Sequence, residues 1–220
     1  MKVLVVVAHP DDEVLGCGGT IAKHVANKDE VHVLFLTSGV GSRGKVESEL
    51  DERETAKENA KKVLNYKEGI QLDFPDNSTD IVPLLQVVKE VEVYIRKIEP
   101  KIVYTHFHGD LNIDHRVCFN AVITATRATP DSSVKEIYGF EVLSSTEWQL
   151  NPSLVFSPQY FNDISKYIKI KIDSLREYNY EMRAEPHTRS YDHVITLAKH
   201  RGSIIGTEYA EAFQVYKIIK

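Results

Sequence analysis

The chain opens on an unbroken apolar run, Val3 to Ala8, that stops at His9-Pro10-Asp11-Asp12-Glu13. An unalternated, β-branched run of this length predicts a strand buried on both faces, as in parallel sheets. Residues 14–27 carry Val14, Leu15, Ile21, Ala22 and Val25 at helical spacing, and Val31 to Leu36 is a second apolar strand. Thr37 to Gly44 is a glycine-rich loop, and Glu47 to Leu64 a helix with a charged surface. Ile70 to Phe74 predicts a third strand, ending at Pro75-Asp76-Asn77. A helix over Val82 to Ile98, stopped by Pro100, turns Leu84, Leu85, Val88, Val91 and Ile95 inward. Ile102 to Thr105 is a fourth strand; it leads through a histidine-rich segment, His106 to His115, into a helix ending near Ala128. This alternation predicts an α/β fold, a Rossmann-like, mostly parallel sheet flanked by helices. The last third is less regular: a strand over Ile137 to Leu143, helices over Ile164 to Tyr180 and Tyr191 to His200, and a strand over Ala212 to Ile219. It is expected to be an irregular α+β extension packed over the first half, so that residues 1–220 form one domain.

Composition narrows the function. A chain of 220 residues, 42% hydrophobic, is long enough for one sizeable core. The net charge is −5, with 27 basic and 32 acidic residues intermixed, and no basic stripe marks a nucleic-acid partner. Two distant cysteines, Cys17 and Cys118, exclude a disulfide framework and a thiolate zinc knuckle. They fit a reducing compartment, hence a cytoplasmic location. No apolar stretch approaches ~18 residues, so no membrane span is expected. The first apolar run is cut short by acids and lacks a cleavage site, unlike a signal peptide.

The cluster after the first strand is where chemistry is expected. Four ionisable side chains in five residues beside a buried strand are costly unless paired or bound to metal. Ligands of open α/β sheets sit beyond the carboxyl ends of the strands, so the acids after strand one and the histidines after strand four reach the same edge. A catalytic zinc takes three nitrogen or oxygen ligands and keeps one position open. His9, Asp12 and His115 offer two imidazoles and a carboxylate, which leaves Asp11 free to act on a water whose pKa zinc lowers to roughly 7. Against this, acids at a helix start also suit its dipole, and Glu13 reads equally as no more than that. Most of the nine histidines, among them His24, His32 and His193, read as ordinary packed or exposed residues.

Ala8-His9-Pro10-Asp11-Asp12-Glu13, followed by Gly16-Cys17-Gly18-Gly19-Thr20 and, about a hundred residues on, Asp114-His115, resembles the PIG-L/LmbE family of zinc-dependent N-deacetylases. The likeness extends through Phe74-Pro75-Asp76. The segments Thr105 to Arg116, Ser144 to Trp148 and Pro186 to Phe213 are similar to a branch of surface-polysaccharide and nucleotide-sugar metabolism. The resemblance implies that His9, Asp12 and His115 are metal ligands, Asp11 the general base, and Asp114 a carboxylate that orients a ligand histidine. It also implies that Arg53 holds a sugar hydroxyl and that Asp76 faces the substrate. Many relatives have a histidine where this chain has Asn112. An Asn amide donates a hydrogen bond to an oxyanion but cannot protonate a leaving amine. That proton would come from His106, His108, His187 or back from Asp11.

Other features carry two readings. The glycines after the acidic cluster lack the spacing of a dinucleotide fingerprint and are expected to let a helix lie close to the sheet. Cys17 is expected to be a small packed residue. The loop Ser38 to Gly44, with Arg43, is either a pocket rim or a plain linker. Arg183, His187, Arg189, Arg201 and Glu208 are either contacts to a diphosphate or carboxylate or surface ion pairs; His187 and Arg189 are assigned to substrate. Trp148, Tyr160 and Phe161 are either a stacking surface or core. The expectation is therefore a Zn²⁺-dependent hydrolase acting on an N-acetylated sugar, a nucleotide-sugar or other glycan precursor, and releasing acetate. A deacetylase of a glucosaminyl thiol precursor and a non-catalytic nucleotide-sugar binding module are the alternatives. The donor set also accepts iron, cobalt or manganese. The resemblance makes a homo-oligomer possible, since family members commonly assemble, and the sequence leaves the oligomeric state open.

Overall fold

A computed structural model describes residues 1–39 and 47–220, for 47–49 the backbone alone; Arg43 and most of the Ser38–Gly44 loop thus lie outside the described residues. In chain order the elements are β1 (Lys2–Val7), α1 (Asp12–Ala26), β2 (Glu30–Thr37), α2 (Glu47–Leu64), β3 (Glu68–Phe74), α3 (Leu84–Ile98), β4 (Ile102–His106) and α4 (Ile113–Ala125). Then come β5 (Glu136–Phe140), β6 (Tyr160–Asp163), α5 (Ile168–Glu177), α6 (Tyr191–Ile205) and β7 (Ala210–Ile218). One seven-stranded sheet runs in the order β3-β2-β1-β4-β5-β7-β6. β1 to β5 pair in parallel, while β7 pairs antiparallel with both β5 and β6. The extension adds β6 and β7 to the same sheet, while its helices α5 and α6 pack over the first half. Among the described residues no helix is long and apolar enough to cross a membrane.

β1 is buried on both faces because its neighbours are hydrophobic on both. Val3, Val5 and Val7 pack with residues of α1, α2, α5 and α6, and Leu4, Val6 and Ala8 with residues of α3 and α4. β2 and β3 lie to one side of β1, β4 and β5 to the other. The order reverses between β1 and β4, and the segments leaving these two strands flank that crevice, the usual ligand position in such sheets.

α1 is broken at Cys17, whose φ of −149° is not helical. The helix approaches the sheet so closely that a Cβ on Gly16 would lie 2.2 Å from the Phe140 ring, and one on Gly19 2.8 Å from Ile164. The glycine cluster does what close packing requires. At the break, Gly19 N–H donates to Glu211 Oε1 at 2.9 Å and Thr20 N–H to Oε2 at 2.7 Å. Leu15 C=O, the regular i−4 acceptor for Gly19, instead accepts from Lys171 Nζ at 2.9 Å, and Lys171 also donates to Glu211 at 2.6 Å. A buried Lys–Glu pair is thus spliced into the missing rung.

Two sequence expectations need correction. Leu84 and Leu85 are 41% and 62% exposed, because α3 starts only after Pro83 and turns Val87, Val88, Val91 and Ile98 inward. Residues 164–180 are not one helix: β6 ends at Asp163 and α5 covers Ile168 to Glu177 only.

Candidate active site

The turn after β1 carries His9 to Asp12 into the crevice, and the segment after β4 brings His115 on the first turn of α4. His9, Asp12 and His115 are buried, and one ligand atom from each lies within 4.8 Å of the others. Asp12 Oδ2 is at the centre, 3.2 Å from His9 Nδ1 and 3.3 Å from His115 Nε2. Asp12 Oδ1 has no hydrogen-bond partner among the described residues. A buried carboxylate oxygen without a donor beside two imidazoles fits a cation. His9, Asp76 and Asp114 form a second overlapping group.

Each imidazole is oriented from behind by a carboxylate. His9 Nε2 lies 3.0 Å from Asp114 Oδ2 and 3.3 Å from Asp76 Oδ1. Asp114, expected to orient a ligand, therefore acts on His9 and not on its neighbour in sequence. It is held by Thr79 N–H and Oγ1 at 3.0 and 2.7 Å and by Asn77 N–H at 2.6 Å. His115 Nδ1 faces Asp110 Oδ1 at 3.1 Å, and Asp110 in turn accepts from Ser145 Oγ and, at 2.6 Å, from Thr146 Oγ1. Asp110 lay in a segment singled out in the sequence, but its aspartate had no spacing signal pointing to His115.

The carboxylates of this group hold protons on its imidazoles. Burial alone would strip His9 of its proton, but hydrogen bonds to Asp114 and Asp12 and the charges of Asp12 and Asp76 carry its pKa up to about 10. Burial acts likewise on His115, and Asp12 and Asp110 raise it to about 9. Asp12 is held well below the carboxylate range, despite its burial, by the charge of His115 and by hydrogen bonds to His115 and His9. The two imidazolium protons put two positive charges among Asp12, Asp76, Asp110 and Asp114, the charge that a divalent cation would supply.

Asp11 stands apart. Its φ is +111°, and its carboxylate accepts from Arg189 Nη1 at 2.9 Å. Burial drives it up to about 6 against the pull of Arg189. Arg189 also lies 3.8 Å from Glu181, which accepts from Arg53 Nη2. Arg53 lies over the Tyr180 ring, 5.5 Å from its centroid. A hollow of about 190 Å³ opens here between Pro10, Ser38, Arg53 and Gln71. Sequence reasoning missed Glu181, a lone acid with no motif around it.

The other expected residues separate. Asn112 caps α4, its Oδ1 accepting from Asp114 N–H at 2.8 Å, so only its amide NH₂ remains as a donor. His106 is fully buried, accepts from Ala8 N–H at 2.9 Å and stacks on His115 with centroids 3.9 Å apart. Burial and His115 lower it to about 3, which makes it a neutral imidazole and a poor acid for a leaving amine. His108 turns to the Tyr216 hydroxyl at 2.8 Å. His187 borders the site: its Nδ1 accepts from Arg189 N–H at 3.0 Å and its ring meets Trp148 edge-on. Arg201 is spent on Glu141, and Arg183 on the Tyr180 and Met182 carbonyls. Tyr160 packs on Tyr138 in the sheet, with centroids 4.5 Å apart. Cys17 is buried and burial pushes its thiol well up, as for a packed residue.

Comparison with known proteins gives the arrangement a family. Residues 4–126 match the model of the PIG-L family, described as GlcNAc-PI de-N-acetylase. The uncharacterized deacetylase YaiS of Escherichia coli K12 is 29% identical over 183 residues, covering 80% of this chain and 89% of that protein. The diacetylchitobiose deacetylase of Thermococcus kodakarensis is 27% identical over 228 residues, covering 97% and 82%. Among solved structures, GalB, the 4-carboxy-2-hydroxymuconate hydratase of Pseudomonas putida KT2440, superposes with a TM-score of 0.80 at 21% identity, covering 100% and 98%. That likeness extends to the fold alone, which hosts more than one chemistry. The family match covers more than half of the chain and spans His9, Asp12 and His115, and the protein belongs to the PIG-L family of zinc-dependent N-deacetylases.

Proposed function

We propose that the protein hydrolyses the acetamide of an N-acetylglucosamine-containing substrate, with His9, Asp12 and His115 as zinc ligands and Asp11 as general base. The observation that carries this reading is the buried His9–Asp12–His115 group, with the orphaned Asp12 Oδ1, directly beside the Asp11 carboxylate. A zinc ion held there would polarise the carbonyl and acidify a water. Asp11 takes the proton of the attacking water and returns it to the nitrogen as the C–N bond breaks, which releases acetate and a free amine. Arg189 holds the Asp11 carboxylate at its 2.9 Å contact, and the Asn112 amide NH₂, left over from the α4 cap, is assigned as the side-chain donor to the oxyanion. Asp114 and Asp110 keep the two imidazoles turned toward the site.

We assign the sugar ring to the hollow beside Arg53, which is lined by Pro10, the neighbour of Asp11 in the chain. Arg53 and Arg189 are both matched by carboxylates, Glu181 and Asp11, so this wall carries no spare positive charge for a diphosphate among the described residues. The likeness to a diacetylchitobiose deacetylase over 97% of this chain favours a glycoside of N-acetylglucosamine over a nucleotide-sugar. The test is acetate release from N-acetylglucosamine, diacetylchitobiose and a nucleotide-linked N-acetylglucosamine, by metal-stripped and zinc-loaded protein. Zinc-dependent release, with Asp11→Asn keeping its zinc but losing about 10²–10⁴ in kcat, is expected. An unimpaired Asp11→Asn enzyme sinks the base assignment; no release by zinc-loaded protein favours a binding module.

A further inference from the structure

Asp11 is the residue before the first turn of α1, and its C=O accepts from Val14 and Leu15 N–H at 3.0 and 2.9 Å. An aspartate in this position ordinarily turns its own carboxylate back onto the N–H groups of the first turn. Here the side chain makes no such bond. The backbone instead takes φ +111° and ψ −30°, a conformation that a residue with a Cβ holds only when its surroundings enforce it. The carboxylate is thereby released from the helix and faces Arg189 and the catalytic crevice.

The enforcing groups lie beneath it. Asp11 N–H donates to Glu13 Oε2 at 3.0 Å, and Glu13 Oε1 accepts from the Tyr178 hydroxyl at 2.8 Å. Both side chains are fully buried, so neither contact competes with water. Tyr178 stands just after α5 and reaches Glu13 across 165 positions of sequence. This resembles a capping box, in which an acid near the helix start accepts the N–H of the residue before the helix. One half of the box is present and the other is withheld. Glu13 touches neither the metal ligands' facing atoms nor the hollow for substrate, and the deacetylation steps above make no use of it.

We infer that Glu13, braced by Tyr178, is the positioning residue that holds Asp11 in its strained conformation and so denies its carboxylate to the helix and delivers it to the reaction. Without the brace Asp11 relaxes, caps its own helix and leaves the attacking water without a base. The inference rests on Asp11 being that base.

The test compares Glu13→Ala, Glu13→Gln, Tyr178→Phe and Asp11→Asn in the zinc-loaded enzyme. Glutamine keeps both bonds, since its Oε1 can accept from Asp11 N–H and its NH₂ can donate to the Tyr178 oxygen. Glu13→Ala should lose about 100-fold in kcat, the cost of a small misplacement of a reacting group. Its KM and zinc content should stay unchanged. Glu13→Gln should stay within a few-fold of the wild type, and Tyr178→Phe should fall between. Added to Asp11→Asn, Glu13→Ala should cost nothing further, because it acts only through Asp11. A crystal structure of Glu13→Ala should show the Asp11 carboxylate turned onto the N–H of position 13 or Val14. Three results overturn the inference alone: an active Glu13→Ala beside an inactive Asp11→Asn, a Gln variant as poor as Ala, or additive losses in the double variant. An active Asp11→Asn overturns the base reading and this one together.

Discussion

Replacing Glu211 by Ala tests the reading of α1 as a helix held together across its break by a buried ion pair. The carboxylate accepts from Gly19 and Thr20 N–H and from Lys171 Nζ, and neither Glu211 nor Lys171 is more than 5% exposed. Each buried N–H left without an acceptor costs about 1–3 kcal/mol. Removing one partner of a buried pair costs about 3–5 kcal/mol. The same carboxylate serves both purposes, so the two costs overlap and about 5 kcal/mol is expected in all. In a chain of this size each kcal/mol shifts Tm by about 2–4 °C, which gives a fall of about 10–20 °C. Thermal and urea unfolding of metal-stripped protein would measure it. The diagnostic variant is the double one. Once Glu211 is gone, Lys171 is an unpaired buried cation, so adding Lys171→Met should cost nothing more and should recover stability. A Glu211→Ala loss below about 4 °C, or losses that simply add in the double variant, would refute the splice.

Three further predictions concern the metal group. Asp110→Asn should weaken zinc binding about 10–100-fold, because it removes the carboxylate behind His115; chelator competition measures this, and an unchanged affinity would refute the role. His9 and His115 are raised to about 10 and 9 by their carboxylate partners, so both are still protonated at pH 8, where ordinary imidazoles are bare. Zinc loading at pH 8 should then release about two protons or more, read by calorimetry in buffers of different ionisation enthalpy; one or fewer means that the carboxylates do not hold those protons. The same shifts make the metal-free protein lose stability as pH rises from the ordinary imidazole value of 6.5 until it passes 9 to 10, since over that window the folded state holds protons that the unfolded chain has lost.

The local pattern of the chain carried much of this protein. β1 and β2 were legible because strands buried on both faces are apolar throughout, and the α/β class followed from strands alternating with helical stretches. The His9–Glu13 cluster stood out because charge placed directly after a buried strand demands a partner. Element ends were less legible: helical periodicity over 82–98 holds equally well for exposed Leu84 and Leu85, and only the entry of the chain at Pro83 decides which stripe faces the sheet. A four-residue strand such as β6 has too few positions to show a period and is defined by its antiparallel pairing with β7. What only the tertiary structure decided were the long-range polar pairs. Arg189 reaches Asp11 across 178 positions, Tyr178 reaches Glu13 across 165, and Lys171 reaches Leu15 across 156. Hydrophobic patterning reports which face of an element is buried, because burial acts on every residue of that face. A hydrogen bond acts between two atoms, and it leaves no period in the sequence from which either partner could find the other.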